Sequence, residues 1–191
     1  MNDDAHRWNE RYTEDGRNWL ENQPRQLLLD YLPVLPKNGL ALDAAAGVGT
    51  HSLLLAKHGL HVIALDISSV GLRLAKERSE QAGLMLDTAV YDLSHPHFPA
   101  NSFDVILNFR FLERATFPAY RHALKPGGWL IFETFVQTDT AVSPHNYFLK
   151  PGELHHAFAD FEIIHYAETA VRGSRSHQMK PVAQLVARKP A

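Results

Sequence analysis

Five short apolar runs constrain this chain most. They are "LALDA" at 40–44, "HVIALDIS" at 61–68, "LMLDTAVYDL" at 84–93, "FDVILNF" at 103–109 and "WLIFETF" at 129–135. Helix-forming stretches separate most of them, at 51–58, 69–82 and 117–124, and Gly59, Gly83 and "KPGG" stand where those helices should stop. Near-continuous apolar strands alternating with helices predict a parallel sheet covered on both faces. Two further strand-like segments, "FEIIHYAETA" at 161–170 and "VAQLVARK" at 182–189, are joined by a link with no helix in it. Such a link joins only antiparallel neighbours. The expected fold is therefore α/β: a doubly wound, seven-stranded, mostly parallel sheet with a C-terminal antiparallel hairpin. Upstream, "PRQLLLDYLPVL" at 24–35 reads as a helix, because a proline is tolerated in a first turn and Pro33 ends or kinks it. The 191 residues suit a single domain with a sizeable core.

Composition narrows the function classes. The 19 basic and 21 acidic residues leave a net charge of −2, which supplies no general attraction to nucleic acid or to an anionic membrane. The absence of cysteine excludes a disulfide framework, thiolate metal sites and a cysteine nucleophile. The polar start "MNDDAHRWNERY" is not a secretory signal, and no segment approaches the roughly 18–20 apolar residues of a membrane span. A cytoplasmic protein is expected. The twelve histidines include no HExxH pair, so no metal site is expected.

The stretch "LDAAAGVGT" at 42–50 falls between the first strand and its helix. In doubly wound sheets, ligands bind outside the carboxyl ends of the strands where strand order reverses, and the first strand-to-helix turn lies there. Ala45, Gly47 and Gly49 let a ligand approach bare backbone. Asp43, beside Ala44, ends the first strand and stands behind the turn. Asp66, followed by Ile67, ends the second strand 23 residues on, where an acid in dinucleotide folds takes ribose hydroxyls. Asp92, followed by Leu93, ends the third and is placed to take an exocyclic adenine amine. Each acid alone also reads as a turn cap; the three on successive strands suggest a nucleoside site. A nicotinamide dinucleotide is the competing ligand. It requires G-x-G-x-x-G, and Ser52 occupies the third glycine position.

The acid with spaced small residues (Asp43, Ala45, Gly47, Gly49), then Asp66, Asp92 and "LKPGG" at 124–128, resembles the class I S-adenosylmethionine-dependent methyltransferases. Ala45 stands where that family usually has glycine. "WNERY" at 8–12 and "YFLKPGEL" at 147–154 are similar to segments of the small tellurite-resistance-type methyltransferases. The resemblance implies a Rossmann-like core at 37–191 under a helical N-terminal segment, 1–36, that covers the cofactor. S-adenosylmethionine is the implied cofactor. Arg11 and Tyr12 are candidates to close its site, Arg11 on the cofactor carboxylate, and Asn108 and Phe109 to flank its methionine end. The other readings are a nicotinamide-dependent oxidoreductase and a non-catalytic module that only binds the cofactor.

The acceptor is expected near the ends of the fourth and fifth strands. "NFRF" at 108–111 lacks the two prolines of the Asn/Asp-Pro-Pro-aromatic motif of base and glutamine methyltransferases, which argues for a small-molecule acceptor, a thiol or a chalcogen oxyanion. Arg110 and Arg114 are candidates to face an anionic acceptor, with Arg114 also reading as a solvated helix residue. The turn "VRGSRSHQMKP" carries Arg172, Arg175, His177 and Lys180, either as an anion-binding wall or as a solvated hairpin turn. Phe135, Tyr147 and Phe148 are candidates for an apolar pocket wall. His145 is a candidate general base, with an ordinary pKa near 6.5. No dimer-forming stripe stands out, so either a monomer or a homodimer is compatible.

Overall fold

Alternation of side chains along one strand shows how the sheet divides its core. In β5 (Leu124–Phe135), Leu130 and Phe132 enter one hydrophobic cluster, while Ile131 enters the other and Trp129 packs against it. A strand apolar on both sides must be covered on both sides. The computed structural model describes residues 3–137, 147–172 and 178–191, with Gly16 and Arg17 described by backbone alone. Its sheet has seven strands: β1 (Leu40–Ala44), β2 (His61–Asp66), β3 (Leu86–Val90), β4 (Phe103–Phe109), β5, β6 (Glu162–Arg172) and β7 (Met179–Arg188). Their order is β3-β2-β1-β4-β5-β7-β6. β1 to β5 pair in parallel, and β7 runs antiparallel to both β5 and β6. Strand order reverses between β1 and β4, as expected from the alternation in the sequence.

One face is packed by α2 (Gln26–Tyr31), α3 (Thr50–His58) and α4 (Ser69–Gln81) through Leu27, Leu28, Leu53, Leu55 and Leu72. The other is packed by α5 (Thr116–Ala123) and α6 (Glu153–Ala157) through Phe117, Tyr120, Leu154 and Phe158. α1 (Asp3–Leu20) lies against α4. Among the described residues no helix is long and apolar enough to cross a membrane.

Two local expectations change. "KPGG" does not separate α5 from the fifth strand. β5 begins at Leu124, and the four residues form an irregularity in its pairing with β4, between Phe103 and Val105. Gly128 permits this, because a Cβ there would meet the Lys125 carbonyl at 2.9 Å. The "LKPGEL" segment also begins α6, whose start follows Gly152 in the left-handed region. Arg114 fixes that segment: its guanidinium donates to both Glu153 carboxylate oxygens, at 2.5 and 2.9 Å, and to the Phe148 carbonyl at 3.1 Å. Arg114 is thus a clamp between the β4–α5 connection and the 148–153 segment. It stands just before α5, not within a helix.

Candidate active site

The turn after β1 is built from residues in the left-handed region: Ala45 at φ 57°, Gly47 at 56° and Gly49 at 73°. Glycine takes that conformation freely, whereas a residue with a Cβ loses roughly 1–2 kcal/mol there. Ala45 therefore carries strain in the loop. The Ala46 N–H reaches across to the Leu65 carbonyl at 2.9 Å, tying the turn to β2. Gly49 allows close packing of α3 on α4, since a Cβ would stand 2.7 Å from that of Ala75.

Asp66 organises the turn from the tip of β2. One carboxylate oxygen accepts the Gly47 N–H at 2.8 Å and the other the Ser68 N–H at 2.8 Å. Burial raises its pKa and these backbone donors oppose the rise. Asp43 is buried behind the turn, where it accepts the Ser52 hydroxyl at 2.5 Å and so holds the start of α3. Burial first, with a contribution from the Asp66 charge, pushes its pKa up to about 7 against the Ser52 hydrogen bonds. Asp92, exposed at the end of β3, accepts the Ser94 N–H at 2.9 Å in a local turn. Leu93 is buried in the core and Ile67 is half-buried.

α1 closes over this turn. Asn9 accepts the Ser68 hydroxyl at 2.7 Å and the Val70 N–H at 3.2 Å, adding a second cap to the N-terminus of α4 beside Ser68 itself. Tyr12 is buried against two glycines: a Cβ on Gly47 would meet its hydroxyl oxygen at 2.5 Å, and a Cβ on Gly71 its ring at 3.0 Å. Burial, then the Asp66 charge, raises the Tyr12 pKa, so the phenol stays protonated. Arg11 lies instead over the Trp8 ring, 5.2 Å from its centroid, on the exposed side of α1.

At the tip of β4 the two candidates face opposite ways. Asn108 is fully buried, its amide donating to the Phe111 carbonyl at 2.8 Å and accepting the Tyr120 hydroxyl at 3.0 Å. Phe109 stacks on His51 at 4.3 Å. His51 accepts the Arg25 N–H at Nε2, 3.3 Å away, which places the ring proton on Nδ1. Burial, then the Arg25 charge, pushes the His51 pKa down to about 3.

Beyond β4 lies a second group that sequence reasoning did not assemble. Arg110 adopts φ 60° and donates its N–H to the Glu133 carbonyl at 2.8 Å, which turns its side chain back over β5. Its guanidinium sits 4.6 Å from the Phe135 centroid and 3.1 Å from Glu133 Oε1. Glu133 is 2% exposed. It takes the Gln184 amide on Oε2 at 2.6 Å, and Arg25 Nε stands 3.9 Å from Oε1. Burial, with Arg25 adding repulsion, lowers the Arg110 pKa to about 10 against the pull of Glu133. Lys180 lies 5.5 Å from the Phe135 ring, and Phe148 6.2 Å from it, whereas Tyr147 is exposed. A cavity of about 410 Å³ opens here, lined by residues 21–26 with Glu133, Val171, Arg172 and Gln184. His145, Arg175 and His177 lie outside the described residues. Among the described residues no group of three or more His, Asp or Glu side chains is placed to hold a metal.

Residues 41–128 match the family model described as a methyltransferase domain. The fold is similar to the crystal structure of TehB from Haemophilus influenzae, with a TM-score of 0.78 at 19% identity over 87% of this chain and 62% of that one. By sequence, the chain is 27% identical over 136 residues to that organism's probable S-adenosyl-L-methionine-dependent methyltransferase TehB, covering 66% of this chain and 47% of the relative. Residues 41–128 are therefore similar to a methyltransferase domain, and the chain as a whole shares the fold of TehB. A ubiquinone biosynthesis O-methyltransferase from Cereibacter sphaeroides is 35% identical over 106 residues, covering 52% of this chain and 43% of the relative. The chain thus spans about half the length of these curated relatives.

The residues at the β1 and β2 tips fit S-adenosylmethionine. The Asp66 carboxylate accepts backbone N–H groups of Gly47, Ser68 and Ile67, and of its roughly four lone-pair sites this leaves capacity for a hydroxyl. The left-handed residues at 45, 47 and 49 expose peptide in place of side chain.

Proposed function

We propose that this protein transfers a methyl group from S-adenosylmethionine to a small-molecule acceptor, a thiol or a chalcogen oxyanion, in the cytoplasm, without a nucleic-acid partner. One observation carries the reading: Asp66, buried at the β2 tip, holds the glycine turn of β1 by backbone hydrogen bonds and keeps acceptor capacity beside it.

When bound, the cofactor supplies an electrophilic methyl group on a positively charged sulfur. Asp66 would take the ribose hydroxyls, and the 45–49 turn would lie against the nucleoside and the methionine chain. Tyr12 and the Trp8–Tyr12–Trp19 cluster of α1, with ring centroids 5.3–6.3 Å apart, shield the turn from water. The protein's main contribution is alignment of acceptor and methyl, an effect worth up to roughly 7–11 kcal/mol of barrier. A thiol or a soft oxyanion requires little help from a base. That suits a site whose buried phenol and imidazole, Tyr12 and His51, are both held neutral.

Calorimetry with S-adenosylhomocysteine, followed by turnover of labelled S-adenosylmethionine with thiols, selenite and tellurite, tests the proposal. Cofactor binding with a methylated product supports it. Firm cofactor binding without product from any of these acceptors removes them as substrates. Binding of NADH with no binding of S-adenosylhomocysteine overturns the cofactor assignment.

A further inference from the structure

β3 is one outer edge of the sheet. Just before it, the Met85 carbonyl accepts the Val62 N–H at 3.4 Å; just after it, the Tyr91 N–H donates to the Asp66 carbonyl at 2.9 Å. Backbone groups alternate in direction along a strand, so residues 85, 87, 89 and 91 turn theirs to β2, and Leu86, Thr88 and Val90 turn theirs outward. The Leu86 carbonyl accordingly accepts from Lys76 Nζ, at 2.9 Å. A groove of about 400 Å³ runs between this edge and α4, with Thr88 and Val90 on one wall. The other wall is a single stripe of α4, Ser69, Leu72, Arg73, Lys76, Glu77 and Glu80, spaced as neighbours on one helix face. Met85 and Val90 stand exposed at the two ends of the strand.

The charges on that stripe are ordered. Arg73 and Lys76 lie toward the start of α4, and Glu77 and Glu80 toward its end. Turned end over end, the stripe is its own complement: Arg73 meets Glu80 and Lys76 meets Glu77, about a centre between positions 76 and 77. β3 has a matching centre. Antiparallel pairing with itself about Thr88 sets Leu86 against Val90 and Thr88 against Thr88, so each outward-facing residue meets another. Lys76 reaches the Leu86 carbonyl, which brings the two centres to about the same level. In the single chain these charges pair only loosely along the helix, Arg73 with Glu77 and Lys76 with Glu80, each at 3.9 Å between exposed side chains.

We propose that two copies of this chain join edge to edge through β3, about a twofold axis near Thr88, with their α4 helices side by side and antiparallel. Strand pairing uses the outward backbone groups, and the ordered charges of α4 fix the register. The axis stands perpendicular to the sheet, so the two strand-tip surfaces point in opposite directions. This interface is independent of the proposed function. The opposite edge, β6, is less suited to pairing: its register shifts between Ile163 and His165, and Glu162 and Glu168 stand exposed along it.

Sedimentation equilibrium of the full chain, from micromolar to submillimolar concentration, reads the association. The wild type should reach the mass of a dimer. Arg73→Glu sets like charges opposite each other twice in a homodimer, and so does Glu80→Arg; each should weaken dimerisation by about 100-fold. Mixed in equal amounts, the two variants should dimerise again, because each like-charged stripe then faces its opposite. Thr88→Pro removes an N–H that points away from β2, a change an edge strand tolerates. It should melt close to the wild type and lose the dimer. A wild type that stays monomeric throughout overturns the interface. A dimer that survives Thr88→Pro overturns the strand pairing. Dimers that survive both charge variants, or that are lost in both and not recovered in the mixture, overturn the antiparallel placing of α4. If Thr88→Pro does not fold, the charge variants carry the test, since their side chains are exposed in the single chain.

Discussion

The two halves of the strand-tip surface are built on opposite principles. On the β1–β2 side, the buried carboxylate of Asp66 is met by backbone N–H groups supplied by a turn of small residues. On the β4–β5 side, the buried carboxylate of Glu133 is met by long side chains from the α1–α2 link, the β4 tip and β7. The first arrangement is short-range and satisfied before a ligand arrives. The second holds two cations on one carboxylate oxygen and leaves donors unused. Backbone groups are fixed by the fold, so the first half is preorganised at little entropic cost. Arginine side chains each lose up to ~2 kcal/mol of rotamer entropy when held, so the second half depends on packing and charge to stay in place.

The same chemical change in each half tests this contrast most strongly. Glu133→Gln leaves Arg25 and Arg110 around a neutral amide and should destabilise the fold by about 3–5 kcal/mol, as expected when a buried ion pair loses one partner. Asp66→Asn must turn an NH2 toward the Gly47 or Ser68 N–H and should cost about 1–3 kcal/mol. Urea midpoints for the two variants rank them. If Asp66→Asn proves the costlier, the β4–β5 side is not the electrostatically stressed one.

Gly47→Val sharpens the comparison from the backbone side. Its Cβ would stand 2.5 Å from the Tyr12 hydroxyl at φ 56°, in a conformation that β-branched residues avoid. Overpacking and strain together should cost roughly 2–4 kcal/mol. S-adenosylhomocysteine affinity should fall as well. A variant that melts and binds like the wild type would show that the turn tolerates side chains, and the β1–β2 half would lose its distinguishing feature.

This difference in construction also explains what the sequence made legible. The seven strands, their mostly parallel order and the final hairpin follow from apolar runs and link lengths, which are local signals. The Ala45–Gly49 turn and Asp66 lie in contiguous motifs and were visible in the same way. Asp43 was visible too, but its role was not. Which way a carboxylate turns at a strand end depends on Ser52, nine residues on. The group around Glu133 draws on residues 25, 110, 133 and 184, whose proximity only the folded sheet creates. One clue was present. A glutamate inside the apolar run "WLIFETF" calls for a partner, because a buried carboxylate is rarely left alone. Arg25 carried no such signal, since an arginine at the start of a helix is ordinary on a solvated surface. The β5 irregularity at "KPGG" was hidden because a proline followed by two glycines reads as a turn. The close approach that actually requires Gly128 is to the Lys125 carbonyl and Phe103.

Protonation separates two neighbours at the boundary of the halves. Asp43 has a folded pKa raised from 3.8 to about 7, so the folded protein holds more protons than the unfolded chain between those values. Its contribution to stability therefore declines as pH rises from about 4 to 7. His51 has a folded pKa lowered from 6.5 to about 3, so there the unfolded chain holds more protons, and its contribution declines as pH falls below about 6.5. Each effect is bounded by about 1.4 kcal/mol per pH unit. Asp43→Asn should make the change in urea midpoint from pH 5 to 7 more positive than in the wild type, and His51→Gln should make it less positive. Shifts in the same direction for both variants would contradict the two assigned protonation states.

The smallest expected effect concerns how α1 is attached to the β1–β2 half. The Asn9 cap on α4 and the Tyr12 ring against Gly47 and Gly71 both hold it there. Asn9→Ala removes the first and leaves Ser68 to cap the helix alone, through its bond to the Gly71 N–H at 3.1 Å. Since Ser68 remains, the loss should be about 0.5–1 kcal/mol, the low end for a helix cap. If α1 is held mainly by Tyr12 packing, hydrogen exchange in α1 should change little in Asn9→Ala and rise clearly in Tyr12→Ala. The reverse ranking would mean that α1 rides on the helix cap. The cover over the glycine turn would then depend on side-chain hydrogen bonds, as the β4–β5 half does, and the division between a backbone-built side and a side-chain-built side would end at the turn itself.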